Sequence, residues 1–483
     1  MPSNSIPVLT TLSGPEARDR RNALVASFLG WTLDAFDFFV VVMVLTEIAR
    51  DFHRTNAEIA LTLTATLAFR PIGAFIFGLM ADKYGRRLPL MIDVVLYSII
   101  EVASGLAPNY TTFLILRALF GIGMGGEWGV GASLAMEAVP PRWRGILSGL
   151  LQEGYAAGYL LASCAYFLVL PHLGWRAMFF LGGAPALLAL FIRRNVKESD
   201  VWERSRRKDW SALWISVRTH VKYYVLLAAV VVVADAFRRP ASSLIERVLN
   251  SENLEGSGGT SPIRIIVVFV VAAILIFMAD VTWHVAEGHR KLFFYLVALM
   301  TMMSFVSHGT QDMYPTFLKV QRGFSPRMTA IISIIANLGA LIGGICGGLF
   351  SDRFGRRRGM ITALLIGIAV IPLWVFSPTA SLLMLGAFLM QFMVQGAWGV
   401  IPAHITELSP DSVRGFLAGF AYQCGILIAG SVAYLEAVFA SRMNYANAMA
   451  ATALVVFLLA AVVIALGREK KGIQFGVERS TKV

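Results

Sequence analysis

Chemistry concentrates in one stretch, SHGTQDMYPTFL, Ser307 to Leu318, set inside the apolar run LFFYLVALMTMMSFV. On a helix, Ser304, His308, Gln311, Asp312 and Pro315 fall on one face, with His308 one turn from Asp312. Ionisable groups in hydrocarbon cost several kcal/mol unless they meet a partner or water, so the His308/Asp312 pair is read as a proton-holding or proton-relaying site. A structural interhelical hydrogen bond is the competing reading. A second candidate is Arg117 in LRALFGIGMGG, a guanidinium among small residues. An always-charged fork in that setting must pair, either with a substrate carboxylate, held bidentately, or with an acidic residue when the site is empty. Asp34 and Asp37 lie three apart beside Phe36, Phe38 and Phe39. Like charges so close disfavour double ionisation, which suits proton uptake; pairing with a basic group such as Arg70 is the alternative. Gln152, Glu153, Tyr155, Gln391, Gln395, Tyr422 and Gln423 could add hydrogen bonds, or serve as packing glue.

The elements that must position these residues follow from composition. The chain has 483 residues, 57% hydrophobic and only 15% charged, which excludes an ordinary soluble globular protein and points to an all-α polytopic membrane protein. Apolar stretches of span length occur at 23–46, 59–81, 88–107, 110–136, 145–170 and 176–193. A second set occurs at 291–317, 326–350, 359–376, 379–407, 413–439 and 445–467.

Between the sets lie a basic segment, 195–221, and an insert, 222–290, whose apolar runs 222–237 and 263–283 flank ENLEGSGGTSP. The insert is expected to be a two-span hairpin outside the core, carrying Asp235 and Asp280, because a single crossing would invert the second set and put its basic loops on the wrong side. Most of the 42 Lys and Arg residues then share a side with the tail 1–22, so positive-inside places both that tail and 468–483 in the cytoplasm. The net charge of +12 is thus a topology signal, with 195–221 lying along the anionic leaflet, and no nucleic-acid partner is expected. Cys164, Cys346 and Cys424 lie in apolar segments without metal-ligand spacing, and residues 1–22 lack a cleavable signal pattern. No metal or cofactor is expected.

Self-comparison divides the chain. GLMADKYGRR, Gly78 to Arg87, recurs as GLFSDRFGRR, Gly348 to Arg357, with six of ten positions identical at an offset of 270. GEWGVGASLAMEAVPPRWRG, Gly126 to Gly145, recurs as GAWGVIPAHITELSPDSVRG, Gly396 to Gly415, with eight of twenty identical at the same offset. One offset for two separate blocks means a duplicated half, 23–194 and 291–467. Parallel six-span repeats place a transported solute between the halves near mid-membrane.

The loop pattern Gly78, Asp82, Lys83, Gly85, Arg86, Arg87, with its second copy at Asp352, Arg356 and Arg357, resembles the signature loop of the major facilitator superfamily. That resemblance implies twelve core spans, here with two more. It also implies a cytoplasmic gate in which Asp82 and Asp352 take backbone donors at helix ends while Arg86, Arg87, Arg356 and Arg357 bind carboxylates across the interface. Within the superfamily, GWTLDAFDFFVVVMVLTEI, the GEWG block, LQEGYAAGYLLA and SHGTQDMYPTFL resemble the sialate:proton symporter family, the last stretch its lactate and pyruvate permease branch. The inserted hairpin is a feature of the sialic-acid branch.

The resemblance implies a proton-coupled symporter of a small monocarboxylate such as lactate or pyruvate, working as a monomer in the cell membrane. Arg117, Ser307, His308, Gln311, Thr316 and Gln423 would meet the substrate, and His308, Asp312, Asp34 and Asp37 would carry protons. A sialic or aromatic acid symporter is the alternative within the class. A membrane-embedded enzyme using His308 and Asp312 as an acid/base pair is the alternative outside it.

Overall fold

A computed structural model describes residues 15–205, 275–429 and 432–476. The described residues are helical, with no strands among them. The chain divides into two compact units, 1–206 with 291–483, and 207–290. Of the second unit the described part holds one short apolar helix, Leu275–Val285, and Asp280 within it. The rest of the expected hairpin, with Asp235, and most of the basic segment lie outside the described residues.

The larger unit holds both repeats. The first runs through α1 (Pro15–Met43), α2 (Asn56–Tyr84), α3 (Arg87–Gly105), α4 (Tyr110–Ala138), α5 (Arg144–Gln152), α6 (Gly154–Leu181) and α7 (Pro185–Asn195). The second runs through α8 (Arg290–Gln311), α9 (Pro326–Phe354), α10 (Arg356–Val375), α11 (Ala380–Trp398), α12 (Ile401–Leu408), α13 (Arg414–Ala429), α14 (Val432–Met443) and α15 (Tyr445–Leu466). Eleven helical stretches among the described residues are long and apolar enough to cross a bilayer. One of them, 141–192, is 52 residues long. At about 1.5 Å per residue that is more than twice a bilayer core of about 30 Å, so it must double back. It does so at Gly174, whose φ of 76° is the left-handed region that a residue with a Cβ avoids.

Helix starts carry local caps. Thr55 and Glu58 form a reciprocal capping box on α2, and the side chains of Asn109 and Ser325 accept from the third residue of α4 and α9. Backbones then approach closely where glycine removes the side chain. A Cβ on Gly121 or Gly125 would strike the α2 carbonyls of Thr66 and Arg70, and one on Gly339 or Gly343 would strike the α11 carbonyls of Phe388 and Phe392. Small residues let membrane helices gain van der Waals contact where no hydrophobic drive exists between them.

The halves meet tightly at the end that bears the repeated loops. There Gly129 packs on Gly419, Gly149 on Gly344 and Gly145 on Gly348, backbone against backbone.

Candidate functional site

The loop-bearing end is closed by two related clusters. Asp82 accepts from the backbone N–H of Gly415 at 3.0 Å and of Phe416 at 2.9 Å, at the start of α13 in the other half. Asp352 accepts from Gly145 at 2.8 Å and Ile146 at 3.0 Å, at the start of α5. Each carboxylate therefore sits on the positive end of a helix belonging to the opposite repeat. Gly85 and Gly355 make the turns that follow, with φ of 98° and 108°.

Among the described residues, the carboxylates bound by Arg86 and Arg356 belong to their own repeats and not to the other half. Arg86 bonds Asp82 at 2.5 Å and Glu137 at 3.0 Å, and Arg356 bonds Asp352 at 2.7 Å and Glu407 at 3.0 Å, all inside their own repeats. Burial works against the Arg86 charge, but Glu137 and Asp82 outweigh it and raise its pKa. Crossing falls to residues that sequence reasoning missed: Glu137 takes Arg414 at 2.9 Å, and Glu407 faces Arg144 at 3.8 Å. Glu137/Glu407 and Arg144/Arg414 are identities within the second repeated block, and that was the signal available. Arg357 also departs from the expected pattern. The backbone N–H of Arg87 donates to Glu198, and the Arg357 guanidinium donates to the carbonyls of Ile464 and Ala465, which end α15.

Deeper in the first half, six carboxyl groups are buried among the described residues: Asp34, Asp37, Asp93, Glu101, Glu127 and Glu153. Four of them group around two arginines, Asp37 and Glu101 with Arg117 and Asp34 and Glu127 with Arg70. Arg117 donates to Glu101 at 2.5 Å and to Ser104 at 2.6 Å, with Phe113, Phe120 and Phe179 around its guanidinium. Of the two partners its residue type allowed, the acidic one is present. Asp37 adjoins this pair: a Cβ on Gly182 would press on both Asp37 and Glu101. Glu101 was the missed member, and its place one α3 face away from Arg117 is invisible in linear spacing.

Arg70 is different. It is 4% exposed, and its Nε and Nη2 make no hydrogen bond among the described residues. Its charge acts on Asp34 and Glu127 of the first half, and on Tyr155 and, across the interface, Tyr422. Glu127 lies against α1 at Gly30, one turn before Asp34. Of the two tyrosines that Arg70 acts on, Tyr422 stacks with Trp128 at 3.8 Å and Tyr155 with Trp31 at 5.6 Å. Gln152 accepts from the Trp128 indole, and Gln423 donates to the Gly125 carbonyl at 3.5 Å.

The stretch of highest sequence interest is less enclosed than its composition suggests. α8 ends at Gln311 and Pro315 begins a separate turn, so Pro315 does not continue the face of Ser304 and His308. His308 Nδ1 stands 3.3 Å from Asp312 Oδ1, with the two side chains 39% and 36% exposed. This is an accessible pair, not a desolvated one. Gln311 donates to Gln391 at 2.8 Å, Thr310 donates to the Ser307 carbonyl, and Thr316 is half-buried beyond the break. Glu436 on α14, buried and without a hydrogen bond among the described residues, lies near Gly309 and feels the charge of Asp312.

Two repeats of membrane-length helices, joined at one end by paired loops, with buried ionisable residues inside the first repeat, define a solute carrier. Residues 22–214 match the family described as Sugar (and other) transporter, and residues 294–479 match that described as Major Facilitator Superfamily. The chain belongs to the major facilitator superfamily and is a transporter, so the enzyme alternative is set aside. It is similar to a carboxylic acid transporter protein homolog of Saccharomyces cerevisiae, 27% identical over 465 residues, covering 93% of this chain and 68% of the yeast protein. It is also similar to the niacin transporter NiaP of Acinetobacter baylyi, 28% identical over 448 residues, covering 92% and 93% of the two chains. Among solved structures, the proton:xylose symporter XylE shares the fold, with a TM-score of 0.66 at 20% identity over 95% of this chain and 98% of that one.

Proposed function

We propose that this protein carries a small organic monocarboxylate together with protons, by alternating access of a site between its halves. One observation carries the reading: the Arg70 guanidinium is buried, leaves two nitrogens without a hydrogen bond among the described residues, and acts electrostatically on Tyr422 of the other repeat as well as on Asp34 and Glu127 of its own. A buried fork of donors is matched by a planar carboxylate, which can satisfy two of them at once. Six buried carboxyl groups against two arginines leave the same half with room for protons. Asp34 and Asp37, near Arg70 and Arg117 respectively, are the proposed carriers, and Arg117 acts in coupling through Glu101. His308, Asp312, Ser307, Gln311 and Thr316 are proposed to meet solute and protons on the accessible side, with Gln423 at the interface. Entry of one proton with one monoanion is electroneutral, so accumulation follows the pH gradient at about 1.4 kcal/mol per pH unit.

In this reading 23–194 and 291–467 are the moving halves, and 222–290 is an added hairpin. The loop-bearing end faces the cytoplasm with both termini, and the transporter works as a monomer. Lactate and pyruvate are the first substrates to try. The rings of Tyr422 and Tyr155, on which Arg70 acts, and of Trp128 and Trp31 stacked with them favour a second candidate, an aromatic monocarboxylate, in keeping with the niacin transporter among the relatives.

Counterflow in proteoliposomes with radiolabelled lactate, an aromatic acid, sialic acid and a neutral sugar tests this directly. The expected outcome is exchange of a monocarboxylate that weakens when Arg70→Lys keeps the charge but loses the fork. Exchange of the neutral sugar alone, or an Arg70→Lys variant with unchanged apparent affinity, would overturn it.

A further inference from the structure

The tail after α15 crosses the closed end and is held mainly by the second half. The Arg357 N–H donates to Glu469 at 2.9 Å, Lys470 donates to the Leu408 carbonyl at 3.2 Å, Lys471 to the Arg353 carbonyl at 3.0 Å, and the Gly476 N–H to Asp411 at 2.6 Å. Towards the first half it offers less. Arg144 donates to the Ile473 carbonyl at 2.6 Å, and Gly476 lies beside Val201. Between these contacts the Phe475 ring, 8% exposed, is clamped by two guanidinium groups. Arg144 of the first half lies 3.5 Å from its centroid and Arg414 of the second half 3.7 Å.

These two arginines are equivalent positions of the repeat, yet they are not equally paired. Arg414 has Glu137 at 2.9 Å and also Asp411, whereas Arg144 has Glu407 only at 3.8 Å and Pro141 where the second copy has Asp411. The tail stands at the weaker position. It supplies Arg144 with a carbonyl, and it places an electron-rich ring face against each of two like charges that would otherwise repel.

We propose that Phe475 is a positioning residue of the transport cycle, a latch that joins Arg144 of one half to Arg414 of the other and holds the loop-bearing end shut. When the halves separate, Arg144 must leave the ring while the tail stays with the second half. The latch therefore adds to the closed state alone. This rests on alternating access and not on which solute moves.

The test reads closure without substrate. In the full chain with Cys164, Cys346 and Cys424 replaced by Ser, Ser148→Cys places one thiol at a fully buried interface position, where the native hydroxyl donates to the Gly399 carbonyl. Purified protein is labelled with a polar maleimide. Phe475→Ala should raise the labelling rate about tenfold, equivalent to about 1.4 kcal/mol less stabilisation of the closed end. Phe475→Tyr, which keeps both ring faces, should return it to near the parent rate. A chain ending at Gly472 should label at least as fast as Phe475→Ala, and it carries the same reading if the Ala variant is not recovered folded. Equal rates in the parent, the Ala variant and the shortened chain would overturn the latch, as would a Tyr variant that labels as fast as Ala. Because no substrate enters the assay, failure of the Arg70 experiment leaves this result interpretable.

Discussion

Neutralising Asp82 and Asp352 should open the loop-bearing end unequally. Asp82 holds Gly415 and Phe416 through two charge-assisted bonds at 3.0 and 2.9 Å, with its side chain fully buried. Bonds of this kind contribute about 1.5–3 kcal/mol each. In Asp82→Asn one oxygen still accepts, but the amide turns an N–H₂ towards the second backbone donor, so one bond and the helix-end attraction are lost. The closed state should weaken by about 2 kcal/mol, a shift of roughly thirtyfold in the closed-to-open ratio. Asp352 makes the mirrored bonds at 2.8 and 3.0 Å, but its side chain is 14% exposed, so water takes over part of what Asn cannot do. About 1 kcal/mol, or roughly fivefold, is expected there. Nitroxides on Arg142→Cys and Arg358→Cys, exposed positions of the two halves at this end, report the separation by pulsed electron resonance. A long-distance population that grows more in Asp82→Asn than in Asp352→Asn is the expected result. Unchanged distances in both, or a larger effect at Asp352, would refute the account of how the loops close.

Three further outcomes follow from the same geometry. Glu101→Gln leaves Arg117 without its charged partner in a buried site, so thermal unfolding in detergent should show a loss of about 3–5 kcal/mol, and Glu101→Gln with Arg117→Leu should recover much of it; no recovery would mean the two residues act separately. His308→Ala should change stability by less than about 1 kcal/mol, because the pair with Asp312 is accessible, while acid-driven uptake falls; normal uptake in both His308→Ala and Asp312→Asn would remove the pair from coupling. Ser257→Cys, in the expected external loop of the inserted hairpin, should react with an impermeant thiol reagent in intact cells while Ser205→Cys does not. Protection of position 257 until the cells are opened would mean the insert does not cross twice.

The sequence alone determined what depends on local composition and on repetition. Apolar runs of span length dictate helices because a backbone in hydrocarbon must satisfy its own hydrogen bonds, and the 270-residue offset of two blocks dictates a duplicated half. Asp82 and Asp352 were legible for the same reason, since each copy vouches for the other. Pro315 could have warned that the Ser307 to Leu318 stretch is not one continuous helix face. Other features were decided only by tertiary structure, because they depend on which helix faces meet. Arg117 and Glu101 are separated by 16 residues and lie on different helices, and the spacing of neither helix says that they pair. Among the described residues the Arg70 guanidinium leaves two nitrogens without a hydrogen bond, and that depends on which faces of the surrounding helices meet it. Glu137 meets Arg414 across 277 positions, and Phe475 comes to lie between Arg144 and Arg414 because the tail folds back under the bundle. Charges in a low-dielectric interior are settled by partners a few ångströms away, and linear sequence does not record that distance.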